Sequence, residues 1–230
     1  MPARGKIPRP TIKRLSLYLR ELEGRLTGGE HRINSRQLGK VLDLTDAQVR
    51  KDLAYFGQFG HPGIGYDVEE LITALRRILG VDHRWRAVIV GAGNIGRALM
   101  SYGRLRRRGF DVVAIFDADP TLVGTRIAET TVQPVEQLAA VVRRSDARIG
   151  LIAVPAESAQ AVADALMDAG VQGILNFAPA RLTVAKDVAI VSVDLSVSLE
   201  QLAFSISLRD GLPGSTRADA GADTEPDDAR

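Results

Sequence analysis

Three glycines, at positions 91, 93 and 96, follow an apolar run in the segment RAVIVGAGNIGRALM, residues 86–100. This G-x-G-x-x-G spacing, between a strand pattern and a helix pattern, is typical of the turn that binds the phosphates of a dinucleotide. The first glycine permits the tight turn, the second lets the backbone approach the pyrophosphate, and the third lets the helix pack on the strand. The phosphates would lie at the positive end of that helix. We therefore predict that the whole turn binds the ligand: Gly91, Ala92, Gly93, Asn94, Ile95 and Gly96.

The next apolar run, FDVVAIFD, ends at Asp117, which lies 21 residues after Gly96. A carboxylate at this place accepts hydrogen bonds from the ribose hydroxyls of NAD(H) and repels the 2′-phosphate of NADP(H). The segment FDADP contains no cation that would hold this phosphate. The sequence therefore favours NAD(H) over NADP(H).

Helix and strand patterns continue to alternate after Asp117, in the segments VEQLAAVVRRS, IGLIAVP, ESAQAVADALMDAG, GILNFAP and DVAIVSVDL. The alternation predicts an α/β fold with a Rossmann-like parallel sheet over residues 84–195. Val154, Pro155 and Asn176 would then lie at the carboxyl edge of the sheet, beside the nicotinamide. A simple strand-ending turn also explains the segment NFAP (residues 176–179), and cofactor contact is only slightly favoured over it. The arginines at 104 and 106–108 are expected to complement the C-terminal dipole of the glycine-rich helix.

A dehydrogenase would need a substrate domain and a proton shuttle beside the nicotinamide. All three histidines precede the glycine-rich turn, Lys186 is the only lysine after it, and the chain has no cysteine. Tyr102 could donate a proton, but no lysine near it in the sequence suggests an activator. We expect no catalytic residue, and we expect the dinucleotide to be a ligand that is sensed.

The first 80 residues carry patterns of a different kind. The segment TIKRLSLYLRELEGRLTGG places Ile12, Leu15, Leu19, Leu22 and Leu26 at helical spacing, and Gly28-Gly29 ends the helix. NSRQLGKVL predicts a second helix capped by Ser35, and DLTDAQVRKDLAYFG predicts a third helix, with Thr45 and Gln48 as a capping box. Two short helices joined by DLT fit a helix-turn-helix, although an ordinary helical hairpin gives the same pattern.

The outward face of the third helix has the composition of a DNA-reading surface. It combines small residues, an amide, a cation and a phenol, in Ala47, Gln48, Lys51, Ala54 and Tyr55. Gln48 would pair with an adenine edge and Lys51 with guanine or phosphate, while Arg50 lies to the side, where it would meet phosphate or another protein group.

Four glycines within nine residues follow this helix, in the segment GQFGHPGIG, with Pro62 at the tip. A glycine-rich ribbon after a recognition helix fits the wing of a winged helix. Phe59, Gly60, His61 and Gly63 are the predicted wing contacts to DNA. A fourth helix is predicted from Asp67, with Glu70 completing a capping box, Leu71, Leu75 and Leu79 inward, and Gly80 at its end.

The composition, with 45% hydrophobic and 25% charged residues, is that of an ordinary globular protein. The net charge of +2 is uneven, because basic residues predominate before residue 110 and acidic residues after it. This asymmetry fits a polyanion partner in the N-terminal part and equally a solvated charged surface. No apolar run is long enough for a membrane helix, no signal peptide pattern is present and no metal site is expected, so a cytoplasmic protein is the expectation.

The segment SVSLEQLAFSIS predicts one more helix, with Leu199, Leu202, Ala203 and Ile206 on one face. Because the sheet is already complete, we predict that residues 196–209 form a dimer element. The acidic end of the chain, residues 210–230, has few hydrophobic residues and is expected to be disordered.

A winged helix, an NAD-type Rossmann domain and a terminal helix in this order resemble the bacterial redox-sensing repressor family Rex. The resemblance covers about residues 8–209 and is carried by AQVRKDLAYFGQFG, GIGYDV, the turn at 91–96 and NFAP. It implies a homodimeric repressor whose C-terminal helix swaps between subunits. Such a repressor binds palindromic operators of respiratory and fermentative genes when NADH is scarce, and NADH, the inducer, releases it.

The resemblance also implies roles for individual residues. Tyr102 and Asp194 would couple the nicotinamide to the domain interface, and Arg20 would pair with that aspartate across subunits. Leu202 and Ile206 would lie in the dimer contact. The chain departs from the family at His61-Pro62, where relatives often have arginine, and at Leu195, where some have phenylalanine. A small NAD-dependent oxidoreductase with an accessory helical domain, or a redox-insensitive nucleotide-binding scaffold, remain the alternatives.

Overall fold

The computed structural model describes residues 7–60 and 64–210, without the side chains of Arg9, Arg209 and Asp210. The N-terminal half contains four helices and a two-stranded antiparallel sheet. In chain order these are α1 (Arg9–Thr27), β1 (Arg32–Ile33), α2 (Ser35–Val41), α3 (Asp46–Ala54), β2 (Tyr66–Asp67) and α4 (Val68–Leu79). β2 pairs with β1, so the loop between α3 and β2 is closed onto the segment between α1 and α2.

This half has its own hydrophobic core. Helical spacing brings Leu15 and Leu22 of α1 against Val49 and Leu53 of α3, and Leu75 of α4 completes the layer. Each of these side chains is almost fully removed from solvent. Ile12, which was predicted to face inward, is instead exposed, because the buried side of this turn of α1 is the one that carries its neighbour Thr11.

A carboxylate lies inside this otherwise apolar packing. Asp52 of α3 has no exposed surface, and its two oxygens accept Nε of Arg14 at 2.5 Å and Nη2 of Arg14 at 2.7 Å. The Tyr18 hydroxyl and the Gln48 amide donate to it at 2.8 and 2.9 Å, and Thr11 lies at 3.3 Å. Burial alone raises the pKa of Asp52, but these hydrogen bonds outweigh burial and hold the pKa below its ordinary value. Burial and the bond to Asp52 raise the pKa of Tyr18, which stays a neutral donor.

The helix caps of this half differ in part from the predictions. Asn34, not Ser35, caps α2 and forms a reciprocal capping box with Gln37. Thr45 caps α3 through the Gln48 backbone as predicted, but the Gln48 side chain bonds Asp52 and does not return to the cap. Asp67 caps α4, because its side chain accepts the backbone N–H of Glu70. Within the described residues the Glu70 side chain makes no return bond to the cap, so this capping box is also half formed.

The C-terminal half is built on a seven-stranded sheet of order β5-β6-β4-β3-β7-β8-β9. All neighbouring strands are parallel except β5 and β6. Its strands are β3 (Trp85–Val90), β4 (Phe110–Asp117), β5 (Arg126–Ile127), β6 (Thr130–Pro134), β7 (Ile149–Ile152), β8 (Gly173–Asn176) and β9 (Ala189–Ser192). Its helices are α5 (Asn94–Ser101), α6 (Arg104–Arg107), α7 (Leu138–Ser145, after a 3-10 turn at Val135–Gln137) and α8 (Ala156–Asp168). β3 lies between β4 and β7, where the strand order reverses, and ligands bind such sheets at that point.

Two details of this half were not predicted. The short hairpin of β5 and β6 was missed, because its strands carry no apolar alternation. The expected role of Arg104 and Arg106–Arg108 was wrong, because the glycine-rich helix α5 already ends at Ser101. These arginines instead lie on or just after α6, where Arg108 pairs with Glu23 and Arg106 lies 4.0 Å from Asp111.

The final helix α9 (Leu195–Asp210) begins one residue earlier than predicted and extends from the sheet without burying its apolar side chains. Those side chains are between 47% and 71% exposed. They are not confined to the one predicted face, and they comprise Leu195, Val197, Leu199, Leu202, Phe204, Ile206 and Leu208. The segment 211–230, where disorder was expected, lies outside the described residues.

The Asp52 network yields a stability prediction. Asp52→Ala removes the acceptor of Arg14 and Tyr18, and we expect the free energy of unfolding at pH 7 to fall by about 3 kcal/mol. Because the folded-state pKa of Asp52 is depressed, its contribution is complete above about pH 5, one unit above the ordinary aspartate pKa, and is lost as the pH falls through the folded value. Denaturant unfolding at fixed protein concentration, repeated at steps from about pH 7 to about pH 2.5, measures this loss of stability. That range spans the ordinary pKa of an aspartate.

Tyr18→Phe is the control for this experiment, since it removes one donor but leaves the ion pair, and we expect a loss of about 1 kcal/mol. A difference between wild type and Asp52→Ala that stays constant over the whole acidic range would contradict the assignment.

Candidate dinucleotide site and nucleic-acid interface

The glycine-rich turn is closed on its sheet side. Gly91 has φ +103°, its N–H donates to Phe116 O at 2.8 Å, and a Cβ on it would lie 2.3 Å from Ala153 O. A Cβ on Gly96 would lie 1.8 Å from Gly91 O. The turn therefore requires glycine at both positions, one for conformation and one for close packing.

The same turn is open on its other side. A Cβ on Gly93 would have no atom within 4 Å, and Gly93, Asn94 and Ile95 are exposed. The first bond into α5 runs from Arg97 N–H to Gly93 O. The N–H groups of Asn94, Ile95 and Gly96 therefore have no acceptor within the helix and remain available to an anion above the turn.

Asp117, at the end of β4, lies beside the turn. Its Oδ2 accepts Ala92 N–H at 2.6 Å and its Oδ1 accepts Asp119 N–H at 2.9 Å. Each carboxylate oxygen keeps a lone pair for a ribose hydroxyl. The backbone bonds thus fix the carboxylate at the edge of the site without exhausting it.

A cation on α5 was not predicted, because the expectation that no cation lies near the ribose rested on the segment FDADP after β4. Arg97 Nε donates to Ala92 O at 2.9 Å, which places an exposed guanidinium against the glycine-rich turn. Its position directly after Gly96 was the available signal.

The loops after β7 and β8 lie at the same edge of the sheet. Val154 approaches Gly91, and Pro155 precedes the first residue of α8. Asn176 is fully buried: its Nδ2 donates to Ala178 O at 3.1 Å and Ala180 O at 2.9 Å, and its Oδ1 accepts Ala178 N–H at 2.9 Å. Of the two interpretations of NFAP, these bonds favour the turn, because the Asn176 side chain donates to two carbonyls of its own loop.

The three residues with implied coupling roles are separate within one chain. Tyr102 caps the C-terminus of α5 and is 49% exposed, and Arg20 is exposed on α1. Asp194 Oδ1 accepts Ser196 N–H at 2.8 Å at the start of α9. Within the described residues no hydrogen bond or ion pair joins Arg20, Tyr102 or Asp194 to one another.

The outward face of α3 is as predicted for Ala47, Lys51, Ala54 and Tyr55, all of which are exposed. Gln48 differs, because it is half-buried and its amide donates to Asp52. Arg50 donates to Asp46 at 2.7 Å and to Ser35 at 3.1 Å, so it ties α3 to α2. Lys51 and Tyr55 are therefore the polar side chains of this face best placed for a polyanion.

The loop after α3 is shaped by close backbone approach. Gly60 has φ +69° and a Cβ on it would lie 2.3 Å from Gly65 O, while a Cβ on Gly65 would lie 2.5 Å from Ile33 O. Phe59, predicted to contact DNA, is half-buried and packs against the core of the N-terminal half. The predicted contacts His61 and Gly63 lie outside the described residues.

Residues 7–60 and 64–210 contain neither a metal site nor a membrane-spanning helix. No cluster of histidine and carboxylate side chains there could hold a metal ion. No helix within those ranges combines the length and apolarity needed to cross a membrane.

Two family descriptions match the chain. Residues 6–54 match "Putative DNA-binding protein N-terminus", and residues 82–180 match "CoA binding domain". These ranges fall on the helical half and on the sheet that carries the glycine-rich turn.

Relatives and solved structures match nearly the whole chain. The redox-sensing transcriptional repressor Rex of Carboxydothermus hydrogenoformans is 50% identical over 201 residues, 87% of this chain and 97% of that protein. Rex 1 of Thermotoga maritima is 46% identical over 205 residues, 89% and 98% of the two chains. The Rex-family repressor RSP in complex with NADH superposes with TM-score 0.82 at 36% identity, covering 90% of this chain and 97% of that one. RSP in complex with NAD+ and operator DNA gives TM-score 0.85 at 38% identity, covering 90% and 95%.

The resemblance inferred from the sequence motifs is therefore confirmed at the level of identity, coverage and fold. The chain belongs to the Rex family of redox-sensing transcriptional repressors.

Proposed function

We propose that this protein is a transcriptional repressor that binds palindromic operator DNA as a homodimer and leaves it when NADH binds. It thereby reports the NADH/NAD+ ratio to respiratory and fermentative genes, and it acts in the cytoplasm, where its operators are. One observation carries the proposal: an exposed helix face with Lys51 and Tyr55 and an open dinucleotide turn occur on two halves of one chain, with a linker of five residues between α4 and the start of β3 at Trp85. The RSP complexes with NADH, and with NAD+ and operator DNA, support it.

On the DNA side, α3 of residues 1–80 would lie in the major groove. Small residues such as Ala47 allow close approach, Lys51 reaches phosphate or guanine, and Tyr55 donates its hydroxyl. Gln48 and Arg50 act chiefly by holding α3 in place, since their donors are engaged by Asp52, Asp46 and Ser35. The loop at Gly60 would lie at the adjacent minor groove, with Phe59 packed against the core of the N-terminal half. His61 and Gly63 remain predicted DNA contacts.

On the nucleotide side, residues 84–195 would bind NAD(H) with its pyrophosphate above Gly93, on the free N–H groups of Asn94, Ile95 and Gly96. Asp117 would accept the adenine ribose hydroxyls. Val154 and Pro155 would line the nicotinamide end, and Asn176 would shape that end through its turn.

The dimer would form through residues 196–209 of α9. Its exposed apolar side chains form two opposite faces, with Leu199, Leu202 and Ile206 on one and Val197, Phe204 and Leu208 on the other. Both faces must be covered, which a single flat contact cannot do. A groove of about 600 Å³ between the two halves offers an apolar floor at Ile12, Leu19 and Phe110. The partner's α9 would lie there, with Leu202 and Ile206 in the contact, and the partner's Asp194 would pair with Arg20, which lines the groove.

NADH can release the operator only by binding one arrangement of the dimer more tightly than the other. Tyr102, on the exposed end of α5, would report the nicotinamide to Arg20 and Asp194. A coupling of about 1–3 kcal/mol per site is typical, and the two sites of a dimer add.

The alternative of a small oxidoreductase is less well supported. The relatives that match over nearly their full length are repressors, and the groove that could act as a substrate site is lined chiefly by arginines and apolar residues from both halves. NADH turnover with any small carbonyl compound would revive this alternative.

The central test titrates a dimer–operator complex with NADH, and with NAD+ as competitor, at fixed salt. We expect NADH to weaken operator binding by at least about tenfold, since two coupled sites at the typical magnitude give this much. Fluorescence anisotropy of a labelled palindromic duplex measures the release. Operator binding that is indifferent to NADH would refute the proposed function, and equal binding to unrelated DNA at physiological salt would refute operator recognition.

Gly93→Val should fill the open space above the turn and exclude the pyrophosphate. We expect a protein that binds operator normally but is not released by NADH, with NADH affinity reduced by about 100-fold or more, as for a loss of several charge-assisted bonds. Gly24→Val is the matched control, because a Cβ there is also unobstructed and the residue is exposed on α1. Normal release of the Gly93→Val protein by NADH would place the site elsewhere.

Lys51→Ala should weaken operator binding by about tenfold and make its salt dependence shallower, because a phosphate or base-edge contact is lost. Calorimetry with NADH should give an unchanged affinity. Lys186→Ala removes the same charge from an exposed position on the sheet half and should leave the operator unaffected. Parallel loss of operator and NADH binding in Lys51→Ala would indicate misfolding and count against the assigned role.

A further inference from the structure

One carboxylate joins the two halves of the chain. Glu23 of α1 accepts Nη2 of Arg76 on α4 at 2.9 Å through Oε1, and Nη1 of Arg108 through Oε2. Arg76 belongs to the DNA-binding half, whereas Arg108 lies between α6 and β4 of the nucleotide half. Among the described residues, the Glu23–Arg108 pair is the one ion pair that runs between residues 7–60 or 64–80 and residues 84–210.

The covalent connection between the halves is also restrained. Gly80 ends α4 in the left-handed region with φ +67°, and its carbonyl accepts Nε1 of Trp85 at 2.7 Å. This bond anchors the end of α4 on the first residue of β3. A rotation of the DNA-binding half about this anchor would change the distance from α1 to Arg108.

The bonds of Arg76 and Arg108 to Glu23 depend differently on the arrangement of the two halves. Arg76 and Glu23 are on helices that pack on each other, so their bond persists wherever the DNA-binding half lies. It holds the Glu23 carboxylate in place as an acceptor. Arg108 reaches that acceptor only when the two halves stand as they do in this structure. A contact of this kind, made in one arrangement and lost in another, is what a shift of populations requires.

We propose that the Glu23–Arg108 pair is a positioning contact that stabilises one of the two arrangements through which NADH and operator DNA compete. This inference rests on the proposed function. The pair touches neither ligand: it acts at the base of β4, whose other end carries Asp117, and at α1, which holds α3 through Asp52.

The test follows from reciprocity, because a change that favours one arrangement must move the two ligand affinities in opposite directions. Arg108→Gln removes the contact between the halves and leaves Glu23–Arg76 intact. We expect operator affinity without NADH and NADH affinity without DNA to change in opposite directions, each by roughly threefold to tenfold for two pairs per dimer. Anisotropy and calorimetry measure the two constants separately.

Arg107→Gln is the matched control, since it removes the same charge one residue away, and the described residues offer Arg107 no ion-pair partner. It should change neither constant beyond a small salt-dependent effect on DNA. Adding Arg108→Gln to a Glu23→Gln protein should have no further effect if the two residues act as a pair.

Unchanged affinities in Arg108→Gln, changes equal to those of Arg107→Gln, or parallel loss of both affinities would overturn the inference. These outcomes are distinct from failure of the proposed function, in which the wild-type protein itself would not respond to NADH.

Discussion

The buried carboxylate of Asp52 is the interaction on which the DNA-binding half depends. It ties α3 to α1 through a bidentate bond from Arg14 and a third bond from Tyr18. A buried charge is tolerated only when its lone pairs are satisfied, so α3 is held in one orientation about its axis. That orientation fixes which side chains face outward. It also removes Gln48 from the outward face and leaves Lys51 and Tyr55 there.

The glycine-rich turn is also held in one conformation by close contacts, here between backbone atoms. Gly91 and Gly96 permit contacts so close that any side chain would be excluded, and Asp117 fixes Ala92 from the side. The N–H groups of Gly91 and Ala92 are engaged on the sheet side, whereas those of Asn94, Ile95 and Gly96 have no acceptor within the helix and remain available beside the open space above Gly93. In both halves, the groups that remain free for a ligand are those left over after the hydrogen bonds on the opposite side have been made.

Periodic and local patterns made much of this predictable from the sequence. Helical spacing predicted α1, α3 and α4, and the glycine spacing predicted the turn and its neighbour Asp117. Asp52 was not predicted, because its partners Arg14 and Tyr18 lie 38 and 34 residues away and an aspartate in a helix is ordinarily exposed. Glu23 and Arg108 are 85 residues apart, so only the fold brings them together. The hairpin β5–β6 is held by its neighbour β4 and has no local signature.

Under the proposed function, these contacts form one continuous connection from the dinucleotide site to the recognition helix. Asp117 and Arg108 lie at or beside opposite ends of β4, Glu23 meets Arg108 on α1, and Asp52 ties α1 to the recognition helix. The rigid members of this connection are a strand and two helices with satisfied backbones. The Glu23–Arg108 contact and the groove lie between the halves, so both can change without unfolding either half. The groove is also the proposed binding site for the partner's α9. The partner subunit and the ion pair would therefore act on the same contact region between the halves. A redox signal then needs to alter only the geometry of this contact region, since the helix that contacts DNA is already fixed to one side of it.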